Sequence, residues 1–322
     1  MKVSFIVIGR NEGKRLLDCL KSIENAINQM SLDAEIIYVD SQSSDNSVEL
    51  AKSILKCKVF RITGIYNSAI ARNIGVKESN AENLVFLDGD MDLKSSFLPI
   101  ILDECGDLKF DFVSGNFINN YYSAEGEFLY QDYYKRIYSP QDMYQPTTGG
   151  LFAIRRKIWN EVGGMRNRFT KGQDLDLGYR LAKRGYLLLR KKEVMALHHT
   201  INYQDVKRLW HSFKTGAAVY PRSVLYRSNI LNKYVLKRML TSDPTLLVLV
   251  LSITTSLLIH NYWIILSYLI ITIAAVMYKN KEQLKVDFLQ RVAIHILRDF
   301  LNVGAFLFFY PSDKKNIEYE EV

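Results

Sequence analysis

Asp88, Asp90 and Asp92 alternate just past the apolar run Asn83-Leu-Val-Phe-Leu87. Carboxylates this dense repel one another unless a cation or a ligand lies between them. Hard oxygen ligands suit Mg²⁺ or Mn²⁺, and Mg²⁺ commonly pairs one or two carboxylates with substrate phosphates. Another acid, Asp40, ends the run Glu35-Ile-Ile-Tyr-Val39. The loop after it, Ser41-Gln-Ser-Ser-Asp45, can cap the next helix through Asp45 and line a pocket as well. Asp174 and Asp176 open a later helical stretch, where acids suit a helix N-terminus. His198 and His199 follow a predicted strand, Val194 to Leu197, and neutral imidazole is a good ligand for Mn²⁺-like ions. Arg166, Arg168 and Lys171 precede Asp174 and suit either a phosphate or an ordinary solvated loop.

These residues need a frame. Short β-branched runs alternate with helical stretches up to about residue 200. Strands are predicted at Val3–Ile8, Glu35–Asp40, Lys58–Ile62 and Asn83–Asp88, with helices at Arg15–Met30, Ser47–Leu55 and Ser68–Glu78. Such alternation predicts an α/β domain with a mainly parallel sheet flanked by helices. Ligands of such sheets bind beyond the carboxyl ends of the strands, the edge at which Asp40 and Asp88 fall.

The ordered motifs resemble family 2 glycosyltransferases, of the membrane-attached kind that builds bacterial cell-surface glycans. Val3-Ser-Phe-Ile-Val-Ile-Gly-Arg-Asn-Glu12 is similar to that family's opening strand and Asn-Glu turn. Ile36-Ile-Tyr-Val-Asp-Ser-Gln-Ser-Ser-Asp-Asn-Ser47 resembles its second motif, and Ala71-Arg-Asn-Ile-Gly75 the segment before its D-x-D, here Asp88-Gly89-Asp90. Thr148-Gly-Gly-Leu-Phe-Ala-Ile-Arg-Arg156, Val162-Gly-Gly-Met165 and Gly172-Gln-Asp-Leu-Asp-Leu-Gly-Tyr-Arg-Leu181 resemble the acceptor-side half. The resemblance implies the GT-A fold and an inverting transferase. It implies that Glu12 and Asp40 contact the nucleotide base, with the backbone near Arg10 helping. Arg72 would lie near the donor's diphosphate or base, Asp88 on the ribose and sugar side, and Asp90 on the metal. His198 or His199 would complete the metal site. Gly149, Gly150 and Gln173 would lie on the acceptor side, and Asp174 would be the catalytic base. Gln173 stands where that family usually has Glu. No Gln-x-x-Arg-Trp motif of processive synthases is present, which favours single-residue transfer.

The chain of 322 residues is 48% hydrophobic and carries a formal net charge of +8. That composition excludes global disorder and suits phosphates, nucleotides or an anionic membrane. No nucleic-acid partner is expected. Cys19, Cys57 and Cys105 show no C-x-x-C spacing and read as reduced thiols. The early apolar run is too short for a signal peptide, so the N-terminal part is expected to stay cytoplasmic. Residues 244–278 contain no Asp, Glu, Lys or Arg. One helix of that length would reach roughly 50 Å, beyond a ~30 Å hydrocarbon core, so a hairpin is predicted: Thr245 to Ile259, a turn near His260-Asn261, then Tyr262 to Tyr278.

Arg222, Arg227, Lys233, Lys237 and Arg238 precede the hairpin, and Lys279, Lys281 and Lys285 follow it. Both flanks are therefore expected on the cytoplasmic side of an inner or plasma membrane. Arg291, His295 and Arg298 share a helical face before the apolar Phe300–Tyr310, as in an interfacial helix. The expected divisions are a GT-A catalytic domain at 1–200, a basic amphipathic helical segment at 201–243, the hairpin at 244–278, and an interfacial helix with an acidic tail at 279–322. The expected donor is a nucleotide sugar, UDP-linked by preference, and the acceptor a lipid-linked or other glycan. Competing readings are a polyprenyl-phosphate glycosyl synthase, whose nucleophile is already ionised, and a non-catalytic nucleotide-sugar-binding membrane protein.

Overall fold

A computed structural model describes residues 1–123, 125–201, 206–278, 288–314 and 316–322, without the side chains of 206–209. The chain forms two compact units, Met1–Asn202 with Asp313–Val322, and Tyr203–Ser312.

The first unit holds one mixed sheet. Its strands are β1 (Val3–Gly9), β2 (Ala34–Asp40), β3 (Cys57–Ile62), β4 (Asn83–Asp88), β5 (Met91–Leu93), β6 (Phe112–Tyr122), β7 (Phe128–Tyr133), β8 (Met143–Gln145), β9 (Phe152–Arg155), β10 (Leu188–Ile201) and β11 (Tyr319–Glu321). The main order is β11-β3-β2-β1-β4-β9-β6-β10-β5. The predicted parallel pairing holds for β3, β2, β1 and β4. Beyond β4 the sheet turns mixed: β9 runs antiparallel to β4 and β6, while β10 is parallel to β6 and antiparallel to β5. Period-two alternation sends the apolar side chains of β1 to both faces of the sheet. Val3, Phe5 and Val7 enter one buried layer, and Ile6 and Ile8 the other.

Helices cover both layers. Lys14–Met30 buries Leu16, Cys19, Leu20, Ile23, Ala26 and Ile27 on one stripe. Ser68–Glu78 starts at Asn67, whose side chain accepts the Ile70 amide at 2.9 Å. The second helix ends at Lys52 rather than Leu55, which is 94% exposed and has no core to join. Its N-cap is Asn46 rather than Asp45; Asp45 instead accepts the Ser47 amide and hydroxyl. The acidic tail also departs from expectation. It returns to the first unit, where β11 closes the β3 edge by antiparallel pairing.

The second unit contains the helices Val206–Lys214, Leu225–Ser228, Lys233–Ser242, Pro244–Ile259, Ile264–Tyr278 and Phe288–Phe308. Pro244–Ile259 and Ile264–Tyr278 form the predicted hairpin, turned at His260 with φ 54°. Among the described residues no single helix is long and apolar enough to cross a membrane. Lys233–Ser242 and Pro244–Ile259 pass that test together, bent by 91°. The unit buries polar groups beside apolar ones such as Val235, Leu249 and Tyr268, and exposes large apolar side chains. Ser252, Ser256, Thr272, Asp299 and Asn302 are buried, whereas Leu258, Trp263, Ile270 and Phe308 are exposed. Arg222 and Tyr226 donate to the buried Asp243, and Arg227 donates to the carbonyls of Ala305 and Phe306. These two arginines are therefore engaged inside the unit rather than offered as free flanking charges. Lys279, Lys281 and Lys285 lie outside the described residues, as do the side chains of Lys207 and Arg208.

Candidate active site

Strand register assembles the site. Gly9 pairs with Asp40 and Ile8 with Asp88, so the ends of β2 and β4 flank the end of β1. Phe86 pairs antiparallel with Phe152, and continuing that register past both strand ends brings Gly150 to Asp88. Arg72, on the helix behind, is 2% exposed and donates to Asp88 Oδ1 at 2.5 Å. A Cβ at Gly150 would lie 2.4 Å from Asp88 Oδ2 and 2.8 Å from Arg72 Nη2. Only glycine leaves the pair intact and open at this point. Gly149, beside it, faces open space.

Asp174 lies in the first turn of the helix Gln173–Lys183. Burial pushes its carboxyl above the ordinary range; Arg72 and the first-turn amides oppose that shift, and Asp88 adds to it. Asp88 is also raised, by burial first, against Arg72 and with Asp90. Arg72 thus stands within electrostatic reach of the D-x-D and of the expected base. Its Nε and Nη1 are buried without a protein partner. Gln173 leaves its Oε1 in the same condition.

Glu12 is pushed up to about 7, by burial first and then by Asp90, against Arg15 and with Asp88 and Asp45. Its Cγ would lie 3.4 Å from a Cβ at Gly89, which places Glu12 beside the D-x-D acids. Asp40 stands at the end of β2. It is fully buried, accepting the Tyr38 hydroxyl at 3.0 Å and the Ser43 amide at 2.8 Å, with Arg61 Nε at 3.8 Å. Its carboxylate shapes the loop after β2. Arg10 is exposed, with its guanidinium 4.7 Å from the centre of the Tyr66 ring.

The two histidines separate. His198 Nε2 faces Asp90 Oδ2 at 3.2 Å, and His199 Nε2 faces Asp92 Oδ2 at 2.8 Å. Asn119 donates its amide to the Tyr121 hydroxyl, so its Oδ1 accepts from His198 Nδ1 at 2.9 Å. That bond leaves the Nε2 lone pair of neutral His198 pointed at a carboxylate, an arrangement relieved by a proton on Nε2 or by a metal cation between them. Burial works against charge on His198, and the carboxylates of Asp90, Asp88 and Glu12 outweigh it, so its pKa rises. His199 is instead satisfied when neutral. Its Nδ1 takes the Tyr122 hydroxyl at 2.9 Å and Nε2–H serves Asp92. Among the described residues no three ligand-type side chains group to hold a metal by themselves. Asp90 keeps Oδ1 buried and unpartnered beside His198. One carboxylate and one imidazole fit Mn²⁺ or Mg²⁺ when substrate phosphates fill the remaining positions.

Several supporting contacts, those of Arg180, Asn73 and Gly178 among them, were not singled out from sequence. Asp176 is fully buried between Arg166 Nη1 at 2.9 Å and Arg180 Nε at 2.8 Å, and Arg180 also donates to the Val162 and Gly164 carbonyls. Arg166 is thereby committed to Asp176. Asn73 both donates to and accepts from the Met165 backbone. At Gly178 a Cβ would lie 2.9 Å from the Pro146 carbonyl, so the Asp174 helix packs directly on the segment before Thr148. Among the aromatic residues, Tyr121 and Tyr130 stack at 4.6 Å across the paired strands β6 and β7.

The model of glycosyl transferase family 2 matches residues 4–186, and that of glycosyl transferase family group 2 matches residues 105–279. The glycosyltransferase GlyG of Streptococcus pneumoniae serotype 4 is 25% identical over 194 residues, covering 54% of this chain and 62% of GlyG. The mannosyltransferase PcManGT from Pyrobaculum calidifontis, solved with GDP-Man and Mn²⁺, superposes with a TM-score of 0.57 at 14% identity, covering 95% of this chain and 87% of its own. GalNAc-T7, solved with UDP, GalNAc and Mn²⁺, gives 0.52 at 16% identity, covering 71% of this chain and 52% of that one. The chain therefore spans between half and two thirds of the length of GlyG and GalNAc-T7. The structural likenesses show a GT-A fold.

Proposed function

Because the chain belongs to glycosyl transferase family 2, we propose that it transfers one sugar from a nucleoside-diphosphate donor to an acceptor hydroxyl with inversion. The observation that carries this is the convergence of Asp88, Arg72, Gly150 and Asp174 at one strand edge. Asp174, ionised, takes the proton of the acceptor hydroxyl. The hydroxyl oxygen bonds to the anomeric carbon as the bond to the diphosphate oxygen breaks on the opposite face. Arg72, with two unused donors, and Asp88 orient the donor sugar and its phosphates. Asp90 and His198 would hold a divalent metal, which supplies positive charge to the departing diphosphate. His199 acts as a strut between β10 and Asp92.

A uridine donor is the first to test, since the solved relatives carry UDP in one case and GDP-Man in the other. In thermal-shift titrations with Mn²⁺ or Mg²⁺, UDP is expected to raise the melting temperature more than GDP or dTDP. The released glycoside should show the anomeric configuration opposite to the donor's. A larger shift with GDP overturns the uridine assignment, and a retained configuration overturns the mechanism.

The second unit supports attachment to a membrane and an acceptor that is lipid-linked or otherwise glycan. Its outward Leu258, Trp263, Ile270 and Phe308 suit acyl chains, while Arg222 pairs with Asp243 and Ser223 with Asn302 inside it. The active site would then face the cytoplasm. The full chain is expected to co-sediment with anionic phospholipid vesicles. The double change Leu258→Asp and Trp263→Asp should cut that binding at least about tenfold, given about 3 kcal/mol for each Asp in hydrocarbon. A wild-type chain that stays in the supernatant without detergent rules out attachment.

A further inference from the structure

We propose that the segment Asp313–Val322 is a working part of the active site, bracing both of its rims, and that Asp313 is a positioning residue for Asp174. The chain reaches this segment only after running through the helices of the second unit, yet the segment folds with the first.

One set of contacts meets the loop that leads into Asp174. Asp313 Oδ1 accepts the Arg168 backbone amide at 3.0 Å, and its Oδ2 faces Arg168 Nη1 at 3.1 Å. The Lys314 carbonyl accepts the Asn167 side-chain amide at 3.3 Å. Asn167 is the joint of that loop. Its Oδ1 accepts from Asn73 and its carbonyl from Asn67, both at 2.7 Å. The helix bearing Arg72 therefore holds the loop from one side and Asp313–Lys314 from the other. Five residues after Arg168, the chain enters the helix whose first turn carries Asp174.

Another set meets the donor side. The Glu318 carbonyl accepts the Thr63 amide at 2.9 Å and the Gly64 amide at 3.2 Å. Gln42 donates to the carbonyls of the same two residues. Glu320 pairs with Arg61, whose guanidinium donates to the Ser43 carbonyl and lies against Asp40. The Tyr319 ring meets Phe60 edge-on at 6.2 Å, and its hydroxyl donates to Glu78 at 2.5 Å. The loop after β2 and the loop after β3 thus share one external brace.

Each contact is a surface bond worth at most about 1 kcal/mol. Their effect is geometric. Transfer depends on a base placed to within an ångström, and loops held only by their own backbone exchange among positions. The inference rests on the transferase reading for the role of Asp174 and the kinetic readout, whereas the bracing of the two loops stands without it.

The test combines amide hydrogen exchange with steady-state kinetics. Asp313→Ala should speed exchange in residues 165–169 and lower kcat about fivefold, with donor KM within about twofold of wild type and exchange at 63–64 unchanged. Asp313→Asn keeps an acceptor for the Arg168 amide and should stay close to wild type. Removing residues 313–322 should speed exchange at both loops and raise donor KM as well. If the shortened chain fails to fold, the two point variants decide. Unchanged exchange and kcat in Asp313→Ala, or a fall in kcat without faster exchange at 165–169, overturns the proposal. A wild-type chain that transfers nothing overturns the transferase reading instead, and exchange alone then decides this one.

Discussion

Replacing Asp174 with Asn is expected to lower kcat for a hydroxyl acceptor by about 10²- to 10⁴-fold, the range for loss of a general base. Asn matches Asp in size but cannot take a proton. Arg72, Asp88 and the glycine opening beside them are untouched, so donor affinity should stay within about twofold. The pH profile carries an independent signature. Burial holds the Asp174 carboxyl above the ordinary range. The wild-type rate should therefore fall on the acid side while ordinary carboxylates are still ionised, and that limb should vanish in the variant. Stability should move the other way. An acid whose folded pKa is raised costs stability as pH climbs from its unfolded value through its folded one. Asp174→Asn should then melt no lower than wild type near neutrality, with the difference closing at acid pH. An Asn variant that keeps full transfer to a hydroxyl would remove Asp174 from the chemistry. Full transfer to a lipid phosphate alone would point to a polyprenyl-phosphate acceptor, whose nucleophile needs no base.

The donor half of this site was readable because its signals are local. Each of β1, β2 and β4 is a short apolar run, and an acid at the end of such a run marks the edge where ligands bind. The fate of Asp40 was not readable. Its burial depends on Tyr38, Ser43 and Arg61 closing around it, and only the last lies on another strand. The mixed half of the sheet was equally opaque. β9 slots antiparallel between β4 and β6, a pairing set by contacts distant in sequence rather than by periodicity. β6 ends in Asn119-Asn-Tyr-Tyr122, where polar and aromatic residues break the apolar alternation. For that reason the partners of both histidines stayed hidden. β11 is three residues within an acidic stretch, and nothing in its composition names β3 as its neighbour.

Those hidden partners separate two adjacent histidines that composition alone treats alike. With UDP present to complete the coordination, His198→Ala and Asp90→Asn should each weaken Mn²⁺ binding, read from the free-ion paramagnetic resonance signal, by more than about 100-fold. Asn119→Leu should weaken it about tenfold, because the imidazole loses the bond that fixes its tautomer and tilt. His199→Ala should leave Mn²⁺ affinity within about threefold. It strips Asp92 of its donor and Tyr122 of its acceptor, so its cost should appear as about 1–3 kcal/mol of stability. The asymmetry follows from where each lone pair points. His198 gives its proton-bearing nitrogen to Asn119 and turns the other on Asp90. His199 uses both nitrogens within the protein. Equal loss of Mn²⁺ in the two alanine variants would mean that metal binding redraws these bonds and that both imidazoles reach the ion.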